Sequence, residues 1–124
     1  MKKYLSILIT ALVALSAVTL VACSSTPSMK DMTVRMGDTD SIQITDMRSL
    51  VRNGVLTAQV TIQNDSKSNL VSYRFKWIGK NGMAVTDEES WKPVTVGKGQ
   101  STIIMGVAPT PDATDFRFEL NQYK

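Results

Sequence analysis

The clearest pattern in the chain has a period of two. In VLTAQVTIQN, Leu56, Ala58, Val60 and Ile62 alternate with Thr57, Gln59, Thr61 and Gln63, and in LVSYRFKWIG, Val71, Tyr73, Phe75 and Trp77 alternate with Ser72, Arg74 and Lys76. Such alternation predicts strands with one buried and one wetted face. The polar stretch Asn64 to Asn69 between them is rich in turn formers, so the two are expected to pair as a hairpin. Further strands are expected over Ser41 to Asp46, over Met83 to Thr86 after the turn signal Lys80-Asn81-Gly82, and over Lys92 to Val96. Gly97-Lys98-Gly99 then turns into Thr102 to Val107, and a last strand sets Phe116, Phe118 and Leu120 against Arg117, Glu119 and Asn121. About seven short strands and no helix outside the N-terminal leader predict an all-β fold, a small antiparallel β-sandwich that is immunoglobulin-like in the loose sense.

The first residues follow a different pattern. Lys2 and Lys3 precede an apolar run from Leu5 to Leu20 that is interrupted only by Ser6, Thr10, Ser16 and Thr19, and Ala22 supplies a small residue before a cut. A permanent bilayer span takes about 20 mainly apolar residues, so this run reads as a cleaved helical signal peptide over residues 1–22. Ser24-Ser25-Thr26-Pro27-Ser28 is small, polar and broken by proline, and residues 23–31 read as a flexible tether ahead of a sandwich over 32–124.

Cys23, the one cysteine of the chain, stands directly after Ala22. Leu20-Val21-Ala22-Cys23 resembles the lipobox of bacterial lipoproteins. The resemblance implies cleavage between Ala22 and Cys23, a diacylglyceryl thioether on the Cys23 sulfur and an acyl group on the new amine. A lone free thiol in an oxidising compartment risks intermolecular pairing, whereas a thioether is inert. One acyl chain binds a bilayer only marginally, at roughly 0.8 kcal/mol per buried methylene, but several chains hold almost permanently. Ser24 follows the cysteine, and in the enterobacterial sorting rule a serine there permits export to the periplasmic face of the outer membrane, where an aspartate would favour retention in the inner one. An uncleaved anchor and a soluble periplasmic protein cut elsewhere are the alternatives.

Charge and residue inventory remove several function classes. The chain has 14 Lys and Arg against 11 Asp and Glu, but Lys2 and Lys3 leave with the leader, so the mature part is close to neutral. Its basic residues are scattered among acids, which argues against a nucleic-acid partner. There is no histidine, so Ser/His/Asp and Cys/His sites are excluded, and the lipobox resemblance implies that the one thiol is taken by lipid. No enzymatic activity, metal site or soluble cofactor is expected.

Three weaker features remain. Asp38 with Asp40, and Asp87-Glu88-Glu89, are small acidic clusters without the ligand spacing of a calcium loop, and read as solvated loops. Met29, Met32 and Met36 stand three and four apart; clustered thioethers suit Cu(I), but methionines also fill gaps at a sandwich edge, and that reading is preferred. Tyr73, Phe75 and Trp77 alternate with charges and read as core. Trp91, beside Glu89, Ser90 and Lys92 at a strand start, is expected to lie partly exposed near a sandwich end, and Trp91 with Lys92 is the expected interaction surface.

The segment NDSKSNLVSYRFKWIGKNGMAV, followed by Trp91 and by APTPDATDFRFEL from Ala108 to Leu120, resembles the YcfL family of small bacterial periplasmic lipoproteins. The resemblance implies a β-sandwich in the cell envelope, and carries no catalytic residues. The expected function is therefore that of an outer-membrane-anchored periplasmic lipoprotein with a noncatalytic binding domain, its partner an envelope protein or peptidoglycan, its process envelope maintenance. The alternative is a periplasmic carrier of a small ligand or copper.

Overall fold

The computed structural model describes residues 28–123 apart from residue 68. The signal peptide, Ala22, Cys23 and Ser24 lie outside the described residues. Seven strands follow in chain order: β1 Thr33–Met36, β2 Ile42–Arg52, β3 Val55–Asn64, β4 Asn69–Ile78, β5 Lys92–Val96, β6 Ser101–Val107 and β7 Asp115–Gln122. They form a four-stranded sheet in the order β1-β7-β4-β5 and a three-stranded sheet in the order β2-β3-β6. The expected all-β fold is thus observed. Its antiparallel description needs one correction, because β1 pairs with β7 in parallel, Thr33 opposite Phe118 and Met36 opposite Asn121.

The alternation read from the sequence decides which residues meet between the sheets. Leu56, Ala58, Val60 and Ile62 of β3 are buried, as are Val71, Phe75 and Trp77 of β4 and Phe116, Phe118 and Leu120 of β7. Phe75 is the centre of this layer. Its ring lies 5.4 Å from those of Trp77 and Phe118 and 6.0 Å from that of Phe116. The facing sheet accommodates it through Gly106, where a Cβ would fall 2.6 Å from the Phe75 ring. Close packing of this kind makes the aromatic layer and the glycine a single unit.

Two expected elements are corrected. β3 and β4 do not pair, since they lie in different sheets. β3 instead pairs with β2 through Asn53-Gly54, both with positive φ (53° and 80°), the geometry of a two-residue hairpin turn matched to strand twist. What directs the chain from β3 to the other sheet is Asn64. It is fully buried, and its side-chain amide donates to Val96 O at 2.8 Å and Lys67 O at 2.7 Å while its Oδ1 accepts from Ser66 N at 3.0 Å. The second correction concerns Met83 to Thr86, which forms no strand. Only an isolated bridge joins Ala84 to Ile78, made by Gly79 N donating to Met83 O and Val85 N to Trp77 O; it goes no further along β4, because Phe75 N donates to the Glu89 carboxylate in place of a backbone carbonyl.

Candidate functional site: the Trp91 face

β5 covers only part of the β4 edge, from Asn69 to Tyr73. Beyond Tyr73 the outward backbone groups of β4 must find other partners. The segment between β4 and β5 supplies them: Val85 N donates to Trp77 O at 3.1 Å, and Phe75 N donates to Glu89 Oε2 at 3.2 Å. The other oxygen, Oε1, accepts the Trp77 indole N–H at 2.9 Å. Glu89 therefore fastens the loop to the aromatic layer, and the acidic cluster that reads as a solvated loop contains a structural carboxylate.

Fastening at Glu89 brings Trp91 over the outer face of the four-stranded sheet. The Arg74 guanidinium carbon lies 4.1 Å from the Trp91 ring centre, a cation–π contact. Arg74 is itself fixed from below. Its Nε donates to Glu119 Oε1 at 3.0 Å across the β4–β7 register, and both side chains are about nine-tenths buried. A guanidinium nitrogen also reaches Glu88 Oε2 and the Glu89 carbonyl, each at 3.4 Å. Lys92, exposed, stands 3.9 Å from Glu89 Oε2. The result is a half-buried indole outside the core, backed by a planar cation that two acids and a carbonyl hold in place.

The remaining candidates are dispersed. Met29 lines an open groove of about 470 Å³ between β1 and β2, Met32 packs against the core, and Met36 stands opposite Asn121 at the end of β1. The three thioethers thus occupy three settings. Asp38 Oδ1 accepts from Asp40 N at 3.4 Å within an exposed turn. Among the described residues no group of three or more His, Cys, Asp or Glu side chains could hold a metal ion. Asp31, exposed in the turn before β1, has its carboxyl held below the ordinary carboxylate range by hydrogen bonds from the Ser28 hydroxyl and the Ser28 backbone N–H.

Sequence reasoning singled out Trp91 and Lys92 but treated Arg74 and Glu119 as wetted-face charges. Their direct opposition depends on the β4–β7 register, which alternation within either strand does not reveal.

Comparison with known proteins adds the family. A Campylobacter jejuni protein of solved structure, cj0090, is 21% identical and superposes with a TM-score of 0.67 over 74% of this chain and 98% of its own, a likeness of fold. A DUF1425 family member from Shewanella sp. pv-4 is 25% identical, with a TM-score of 0.62 over 67% of this chain and 79% of its own. Comparison with curated proteins returns no match. The family model described as "Protein of unknown function (DUF1425)" matches residues 33–122, which spans β1 to β7, and the chain belongs to that family.

Proposed function

We propose that the mature chain is a noncatalytic lipoprotein of the bacterial envelope, of the YcfL type, held by acyl chains on Cys23 to the periplasmic face of the outer membrane. Its domain binds an envelope protein through the Trp91 face. The leader and the Leu20-Val21-Ala22-Cys23 motif support the address. The observation that carries the binding role is the seating of Trp91 on Arg74. A large aromatic ring fixed before binding loses little further freedom when a partner covers it, and Trp and Arg are the residues most enriched at energetic centres of interfaces. Exposed Glu88, 3.4 Å from the Arg74 guanidinium, and exposed Lys92, 3.9 Å from Glu89, give the surface charges of both signs with which to orient a partner.

Two measurements test this reading. The intact mass of the protein from the envelope should equal residues 23–124 plus a diacylglyceryl and an acyl group, and Cys23→Ser should leave the membrane fraction; an unmodified mass, or a variant that stays attached to the outer membrane, contradicts the anchor. Trp91→Ala should keep the fold and the anchor but lose the protein partner recovered by chemical crosslinking in cells. Undiminished recovery contradicts the binding face, and adducts to glycan in place of protein would reassign the partner to peptidoglycan.

A further inference from the structure

The two sheets have four edges, and three of them are defended against further strand pairing. β1 is only four residues long and carries Arg35, β5 opens with Lys92-Pro93, and β2 carries Asp46, Arg48 and Arg52 with a register irregularity between Ile44 and Asp46. Charges, proline, bulges and brevity are the devices that keep sheet edges from joining. β6 has none of them. Its sequence STIIMGV is uncharged and pairs on one side only, with β3. Its solvent-side residues are apolar instead: Ile103 is 61% exposed, Met105 53% and Val107 58%.

The hydrogen-bond parity of β6 shows what this edge offers. Ala108 N donates to Leu56 O, and Gln100 O accepts from Asn64 N, so the even-numbered residues between them direct their backbone groups to β3. The N–H and C=O groups of Ser101, Ile103, Met105 and Val107 face the open edge.

We propose that β6 pairs antiparallel with β6 of a second copy, about a two-fold axis at Ile104, to give a continuous six-stranded sheet. This register sets Ile103 against Met105 of the second copy and Ser101 against Val107, and it uses every outward backbone group of the strand. It is isologous, each copy presenting the same surface. Charge decides for a second copy in this direction. No ionisable residue lies between Lys98 and Asp112, so nothing repels along the pair, and antiparallel pairing places the Lys98 end of one copy beside the Asp112 end of the other. Parallel pairing would put like charges together. The apolar outer stripe becomes continuous across the junction, beside Thr61, Gln59 and Thr57 of β3. The pairing involves neither Cys23 nor the Trp91 face, so its failure and theirs are separable.

The test uses the purified full-length protein in mild detergent. Differently tagged Ile103→Cys and Met105→Cys chains are mixed and oxidised, since directly opposed residues of such a pair have Cα atoms about 5.5 Å apart, within disulfide reach. A mixed disulfide several-fold more abundant than in either chain alone, or than in Ile103→Cys mixed with Val34→Cys, is expected. The unsubstituted chain measures any background from Cys23. Light scattering should show a dimer that Ile103→Lys/Met105→Lys converts to monomer with an unchanged circular dichroism spectrum, as both side chains are exposed. A monomer at millimolar concentration, or disulfides indifferent to position, overturns the proposal and leaves the edge to a strand of another protein.

Discussion

The Arg74 guanidinium is held between Glu119 Oε1, 3.0 Å from its Nε, and the ring of Trp91, 4.1 Å from its central carbon. One cation thus links β4, β7 and the loop before β5. Arg74→Ala should cost about 3 kcal/mol, because it leaves the Glu119 carboxylate about nine-tenths buried without its partner. Arg74→Lys keeps the charge but not the planar stack. It should retain most of the stability while acrylamide quenching of Trp91 fluorescence rises. Equal quenching in both proteins would show that the stack does not hold the indole.

Glu89 accepts two hydrogen bonds that the aromatic layer needs, from Trp77 Nε1 and Phe75 N. Glu89→Ala leaves both donors without their partner and should cost roughly 1–3 kcal/mol for each that water does not reach. Glu89→Gln keeps one acceptor and should cost less. Urea unfolding orders the three proteins, and a Gln variant no better than Ala contradicts the pairing.

Asn64 donates to two carbonyls and accepts one N–H from a fully buried position. Asn64→Asp is nearly isosteric but replaces the donating amide with an oxygen facing the Val96 and Lys67 carbonyls. It should destabilise more than Asn64→Ala, by about 2–4 kcal/mol, since a buried charge is left uncompensated. The loss should shrink as pH falls and protonation restores a donor, which equilibrium unfolding across acid pH measures.

Gly106→Ala should lower the unfolding midpoint at unchanged slope, by roughly 1–3 kcal/mol, because the new methyl enters the Phe75 ring. Phe75 has aromatic neighbours in Tyr73, Trp77, Phe116 and Phe118 and cannot step aside. Phe75→Leu combined with Gly106→Ala should therefore cost less than the two changes added together.

These residues also mark how far the sequence was legible. Alternation identifies which side of a strand is buried, so the inward positions of β3, β4 and β7 were visible. It does not identify the neighbouring strand. β3 and β4 resemble a hairpin because Asn64 to Asn69 is turn-forming, yet buried Asn64 ties the end of β3 to Val96 and directs the chain to the other sheet. β1 was missed because four residues, two of them polar or charged, carry no period; its pairing with β7 alone makes it a strand. Met83 to Thr86 resembles a strand by composition, but its pairing with β4 stops at one bridge, since the Glu89 side chain takes the Phe75 N–H that a longer ladder would need. At the candidate site the partial exposure of Trp91 was legible from its position among polar residues, but its seat over Arg74 on the sheet face, and not at a sandwich end, was not. Arg74, Glu119 and Glu89 were not, since their roles arise from contacts between segments distant in sequence.

The most direct test of the account is photocrosslinking in living cells from position 92, with Trp91 left in place and position 34 on β1 as the control. The account predicts one dominant envelope protein captured from position 92, lost with Trp91→Ala and absent from position 34. No adduct from a lipidated, folded protein, or the same adducts from both positions, would contradict a binding role for the Trp91 face.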